Sequence, residues 1–249
     1  MEKLAYSLMS ILLLICCTQD SGNKGKILFV TSNQHYYGNT TINASNHFAE
    51  IVLAYDVFVK KGYTVDILSP KGGAIPIGYI STSDSIQKQY LYDNTFMNQL
   101  KTTKRPEDID ALNYKAIYYS GGGAAMFGVA ENRIIQEIAE SIYAQGGIIS
   151  AVCHGTAGIV NLKNKQGRPL YQNKAISGYP DLFENKEAEY FKSFPFSIEE
   201  IIRENNGQFK YSNKSRDAFY VVDGNFITGQ DPSSTKLVAQ KVLESLKNQ

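Results

Sequence analysis

The stretch GGIISAVCHGTAGIVNL, residues 146–162, decides the fold. Its IISAVC portion (148–153) is apolar throughout, as a strand is when helices cover both faces of its sheet. Gly146-Gly147 closes a helical pattern before it, and TAGIVNL is predicted to continue as a helix after it. A strand running into a helix through Ala-Val-Cys-His-Gly matches the small-x-nucleophile-x-small turn that exposes a side chain at a strand's carboxyl end. Small flanking residues let the backbone turn, and the positive end of the following helix would favour thiolate over thiol. Backbone N–H groups at such a turn can also stabilise an oxyanion. Cys153 is therefore a candidate nucleophile. His154, one residue on, is not expected to fold back onto the sulfur by itself, so a carboxylate elsewhere should orient it. The competing reading is a buried cysteine at a strand end, with His154 as a helix cap.

Working outward, apolar runs alternate with helical patterns from residue 26. KILFVTS (26–32) and YTVDILSP (63–70) read as strands on either side of a helix over 47–62, HFAEIVLAYDVFVKKG, which stops at Gly62. An irregular stretch reaches about residue 90 and is followed by a helix containing Phe96, Met97 and Leu100. AIYYSGGG (116–123) is a strand entering a glycine turn, and ENRIIQEIAESIYAQGG (131–147) an amphipathic helix. Further on come KAISGYP, the helix-like SIEEIIREN, a hairpin in FYVVDGNFITG turning on Asp223-Gly224-Asn225, and a terminal helix around Lys236 to Leu246. This rhythm predicts an α/β fold, an α/β/α sandwich around a mostly parallel sheet. No linker divides 26–249, which reads as a single domain without repeats.

The amino terminus differs in kind. Lys3 precedes an apolar run from Leu8 to Ile15 that is too short to span a bilayer comfortably, the pattern of a signal peptide over 1–17. It ends in Leu14-Ile15-Cys16-Cys17, similar to a bacterial lipobox, with Cys17 the expected lipidated residue and Cys16 the alternative. TQDSGNK then reads as a polar tether within 18–25. The expectation is an exported cell-envelope lipoprotein, in the periplasm or on the outer membrane face, with a plain secretory signal as the alternative. Of three cysteines, two belong to this segment, which leaves Cys153 without a partner for an intradomain disulfide. With only His35, His47 and His154 besides, a structural metal is not expected. Lys and Arg number 25 against 24 Asp and Glu, with no basic run, which argues against a nucleic-acid partner.

Several segments, in order, carry a family resemblance: HFAEIVLAYDVFVKKGYTVDILSPKGG, YYSGGGAAMFG, GGIISAVCHGTAGIVNL, ISGYPDLFENKE, FPFSIEEIIRENNGQF and VVDGNFITGQDPSS. Over residues 26–245 the chain resembles the PfpI-like branch of the class I glutamine amidotransferase-like superfamily, nearest its heat-shock chaperone and glyoxalase III group. The resemblance implies a flavodoxin-like fold. It places the nucleophile on Cys153, its adjacent histidine on His154, and an acidic residue that contacts the sulfur on Glu50. On the residues themselves, a carboxyl between Phe48, Ile51 and Leu53 would be desolvated and its pKa raised, with a solvent-facing glutamate as the alternative. For the acid that orients His154, Asp181 matches the aspartate of one subgroup and Glu184 the glutamate of others. Asp181 is preferred, because it follows a strand and a proline.

Oxyanion donors would be the amides of Gly123 or Ala124 and of His154. Here the chain departs from the family's commoner Gly-Gly-His-Gly-Ala-Met, reading Gly121-Gly122-Gly123-Ala124-Ala125-Met126. His35, His47, Tyr36 and Tyr37 are expected to flank the mouth of the site. The implied activity is a glutathione-independent glyoxalase or deglycase, protective in stress, that acts on small carbonyls such as methylglyoxal without a diffusible cofactor. The alternatives are a holdase chaperone that binds unfolded proteins, a thiol stress sensor, and a cysteine peptidase or amidohydrolase. The late His-x-Glu pair of glutaminase domains has no counterpart, since no histidine follows residue 154. A homodimer is what the relatives imply.

Overall fold

In a computed structural model the described residues are 24–248. In chain order the elements are β1 (Lys26–Val30), β2 (Asn46–His47), α1 (Phe48–Val59), β3 (Thr64–Leu68), β4 (Ile77–Gly78), α2 (Ser85–Leu91) and α3 (Asn94–Lys101). Next come β5 (Tyr114–Tyr119), α4 (Arg133–Ala144), β6 (Ile148–Val152), β7 (Ala175–Ile176), α5 (Glu189–Lys192) and α6 (Ile198–Glu204). The chain closes with β8 (Gln208–Phe209), β9 (Tyr220–Asp223), β10 (Phe226–Gly229) and α7 (Thr235–Lys247).

Six strands form the central sheet in the order β3-β1-β5-β6-β10-β9. All neighbours are parallel except β9, which returns antiparallel along β10 through the two-residue turn Gly224-Asn225. Both faces are covered because the strands carry apolar side chains on both. Ile27 and Phe29 of β1 join one core with α1, α3 and α7, whereas Leu28 and Val30 join the other with α4 and α6. Helix α4 shows the logic of its period: Ile135, Ile138, Ala139 and Ile142 are buried at helical spacing, and Asn132 caps the first turn by accepting from the Ile135 amide at 3.1 Å. Each isoleucine so buried stabilises the fold by about 1.5–3 kcal/mol. The chain leaves β1 toward β3 on one side and β5 toward β6 on the other. The carboxyl ends of β1, β5 and β6 therefore border the reversal point, where open α/β sheets place their ligands.

Three sequence expectations need correction. The irregular stretch before residue 90 holds α2, whose start is set by Asp84, with its carboxylate accepting from the Ile86 and Gln87 amides. Of the tether expected over 18–25, the described residues Lys24 and Gly25 are tied to the folded domain: the Lys24 amide donates to the Gly62 carbonyl at 3.1 Å, and the Gly25 carbonyl accepts from the Thr64 amide at 3.0 Å. The expectation of a membrane-anchored lipoprotein is not upheld. Among the described residues no helix is long and apolar enough to cross a membrane. Residues 1–17, with Cys16 and Cys17, on which export and lipidation rested, lie outside the described residues.

Candidate active site

Strand β6 ends at Val152, and the chain turns at once. Cys153 adopts φ +60°, a left-handed conformation that costs a residue with a Cβ roughly 1–2 kcal/mol. The segment Cys153–Ile159 is a 3-10 turn and not the α-helix expected. The crowding is visible at the glycines. Gly158 packs against the Tyr119 ring of β5, which a Cβ at that position would overlap. A short 3-10 segment offers the sulfur little helix dipole.

The strained turn also corrects the expectation that His154 cannot reach the sulfur. The imidazole Nδ1 lies 3.4 Å from Cys153 Sγ, and the ring stacks on Tyr179 at 4.7 Å between centroids. On its far side Nε2 lies 2.7 Å from Glu184 Oε1. A carboxylate only accepts, so Nε2 carries the hydrogen and Nδ1 presents a lone pair to the thiol. Tyr190 donates to the other Glu184 oxygen at 3.0 Å, which fixes the carboxylate from behind. The preference for Asp181 is thereby corrected. Its oxygens accept from Ser197 Oγ at 2.9 Å and Lys186 Nζ at 3.3 Å, and the 3-10 turn over Asp181–Phe183 faces it toward α6. The same turn carries Glu184 around to the imidazole.

Glu50 enters from the first turn of α1 and is wholly buried. Its Oε2 accepts from the Gly121 amide at 2.7 Å, its Oε1 is buried without a hydrogen-bond partner, and the carboxyl stands near the Cys153 thiol. Burial, opposed by the Gly121 amide and the nearby thiol, raises its pKa to about 8. The Cys153 thiol is pushed up as well, first by burial and then by the Glu50 charge, while the His154 backbone N–H pulls it down. The pair thus holds at most one negative charge, and its resting state is protonated at both groups near neutral pH. Gly121 is obligatory here, because a Cβ would stand 2.7 Å from Glu50 Oε2 and 2.9 Å from His154 N.

Of the expected oxyanion donors, His154 N faces the sulfur and Gly123 lines the cavity, but the Ala124 amide donates to the Ser45 carbonyl at 3.2 Å and is spent there. The space above Gly123 is filled by the Tyr37 ring, which a Cβ at that position would overlap. A side chain there is replaced by a tyrosine from another loop. His47 lines the same cavity, stacked on Tyr79 at 4.7 Å. Burial first, then His154 and Arg216, lower its pKa to about 4, so it is neutral. His35 and Tyr36 are exposed outside the cavity wall.

Cys153 and His154 open into a cavity of about 670 Å³. Tyr79, Tyr190, Phe194, Arg216 and Asp231 also line it. Sequence reasoning missed these five because four come from loops and Tyr190 from the single-turn helix α5, none of which carries a readable period. The signal available was that Phe194 and Asp231 lie within the resembling segments FPFSIEEIIRENNGQF and VVDGNFITGQDPSS.

Comparisons with known proteins agree with this arrangement. A glutathione-independent glyoxalase, hsp3102 of Schizosaccharomyces pombe, is 29% identical over 90% of this chain and 98% of its own length. The crystal structure of glyoxalase III from Candida albicans superposes with a TM-score of 0.81 at 25% identity, covering 90% of this chain and 98% of that one. The 24 kDa Rapid Encystment Protein of Francisella tularensis gives a TM-score of 0.83 at 27% identity, covering 89% and 99%. These likenesses run nearly end to end, and the DJ-1/PfpI family matches residues 44–245. The chain belongs to the DJ-1/PfpI family.

Proposed function

We propose that this protein is a cysteine-dependent, glutathione-independent glyoxalase, converting small α-oxoaldehydes such as methylglyoxal to hydroxy acids. The observation that carries the reading is the line from Cys153 Sγ through His154 to Glu184 in the wall of one cavity, with the buried Glu50 carboxyl near the sulfur. His154 Nδ1 takes the thiol proton as sulfur adds to the aldehyde carbon, and the resulting hemithioacetal oxygen faces the His154 amide. A proton must then leave that carbon and reach the neighbouring ketone carbon. Glu50 and His154 flank the sulfur and are the groups able to move it. The aldehyde carbon is oxidised to a thioester while its neighbour is reduced to an alcohol, so no external oxidant is needed. Water then cleaves the C–S bond, releasing lactate and the thiol.

The relatives named glyoxalases support the same activity class. Incubation of the purified chain with methylglyoxal, with lactate quantified, tests the proposal. Turnover by the wild type that is abolished in Cys153→Ala is the expected result. Equal rates in the two would remove the basis for the reading.

A further inference from the structure

The loop from Ser212 to Ala218 lies between β8 and β9 and has no regular structure, yet it is laced along its length to the chain just after β10. The Ser212 amide donates to Gln230 Oε1 at 2.7 Å, and Gln230 Nε2 donates to the Lys214 carbonyl at 3.0 Å. The Arg216 amide donates to Asp231 Oδ2 at 2.8 Å, and the Ala218 amide to Ser233 Oγ at 2.9 Å. Gln230 and Asp231 are buried, at 0% and 2% exposure. Two residues of the loop that carry a Cβ stand in the left-handed region, Arg216 at φ +57° and Ala218 at +52°. Such conformations persist where surrounding bonds over-determine them. Held in this way, Ser215 and Arg216 stand in the wall of the cavity that holds Cys153.

Among the described residues Arg216 is the one lysine or arginine in that wall. Both carboxylates of the wall are engaged elsewhere. Glu184 accepts from His154 and Tyr190, and Asp231 accepts from the Arg216 backbone, Gln230 and Ser233. No carboxylate among the described residues pairs with the guanidinium. The residue is exposed at the rim of the cavity, and its charge is close enough to help depress His47, which lines the same cavity. At about 670 Å³ the cavity is also far larger than a three-carbon carbonyl needs. Such a molecule fills on the order of 100 Å³, taking about 30 Å³ per water-sized unit.

We propose that Arg216 binds an anionic far end of the substrate, so that the site takes short α-oxoaldehydes terminating in a carboxylate or phosphate. A guanidinium fork matches both termini in two-pronged fashion. The inference rests on the glyoxalase reading and extends it to substrate class. The covalent steps are those already given: sulfur adds to the aldehyde carbon, a proton passes to the ketone carbon, and water releases a hydroxy acid that keeps the anionic end.

The test uses oxolevulinate, an oxoaldehyde with a carboxylate at its other end, its uncharged methyl ester, and the phosphate-ended hydroxypyruvaldehyde phosphate. Wild-type kcat/KM is expected to be at least tenfold higher for one of the anions than for the ester, the larger value identifying the terminus. In Arg216→Gln that ratio is expected to fall to near one, chiefly through KM, with the thermal melt confirming the fold. A ratio near one in the wild type, while methylglyoxal is turned over, overturns the inference and leaves the glyoxalase reading standing. If no oxoaldehyde is turned over, the glyoxalase reading fails. Binding then decides the inference: hydroxyglutarate should slow alkylation of Cys153 by iodoacetamide in the wild type but not in Arg216→Gln. Absence of that protection overturns it.

Discussion

Substituting the two carboxylates that compete for His154 separates geometry from sequence position. Glu184→Gln keeps the shape of the side chain but replaces an anion 2.7 Å from Nε2 with a neutral amide that can present either oxygen or NH₂ to it. A hydrogen bond to a charged group contributes about 1.5–3 kcal/mol, and the imidazolium formed when Cys153 gives up its proton is the state that would lose it. At about 1.4 kcal/mol per decade, kcat/KM should fall roughly ten- to 150-fold. Tyr190, which donates to the same carboxylate, keeps the substituted side chain in place, so the loss should appear in kcat more than in KM. Asp181→Asn removes the ion pair with the half-exposed Lys186 and keeps an oxygen to accept from Ser197, and neither partner touches the imidazole. It should change kcat/KM less than twofold and stability by at most about 1 kcal/mol. Initial rates of methylglyoxal loss under saturating and limiting substrate read both. If Asp181→Asn is the crippling change and Glu184→Gln the mild one, the placement of the turn over Asp181–Phe183 is wrong.

Glu50 gives a stability prediction with a defined sign. Its folded value of about 8 lies above the ordinary 4.5, so the stability tied to its protonated form is complete below about 4.5 and is lost as pH rises through about 8. At roughly 1.4 kcal/mol per unit the ceiling is about 5 kcal/mol. Urea melts of the wild type should weaken between about pH 5 and pH 9, whereas Glu50→Gln, fixed in the neutral form, should not; parallel curves would contradict the buried acid. At Cys153 the left-handed backbone reverses the usual ranking of small residues. Cys153→Gly should be at least as stable as Cys153→Ala, although glycine costs about 0.5–1 kcal/mol relative to alanine in regular structure. A glycine variant melting clearly below the alanine variant would argue that the turn is not strained.

The sheet was legible because its strands announce themselves chemically. IISAVC and KILFV are apolar on both faces, and only a doubly covered strand needs that. The nucleophile turn was legible as a motif, yet two of its properties were not. Whether His154 reaches the sulfur depends on the φ of Cys153, which no side-chain pattern encodes. Whether Asp181 or Glu184 meets the imidazole depends on one turn of 3-10 helix separating two acids three positions apart. The missing histidine of the glycine turn was visible in the sequence. That a tyrosine from the loop after β1 covers Gly123 was not, because contacts between loops have no period to read. Arg216 was invisible for the same reason: its place in the cavity depends on the bonds its loop makes to Gln230 and Asp231, just after β10.

These placements bear on how the proposed chemistry starts. Burial favours the neutral form of each titratable group around the sulfur: the thiol and Glu50 keep their protons, and His47 stays uncharged. A free thiolate is therefore costly in the resting cavity. It becomes cheaper when its proton moves to His154, since the imidazolium then stands 2.7 Å from Glu184 and 3.4 Å from the sulfur it charged. The charge pair replaces two neutral groups without placing a net charge in the low-dielectric floor. Glu50 must stay protonated for this to work, because an anion there would oppose the thiolate at close range. The upward shift of Glu50 is thus a condition for activating Cys153, and loss of activity at alkaline pH should track the ionisation of Glu50 even as the thiol itself becomes easier to deprotonate.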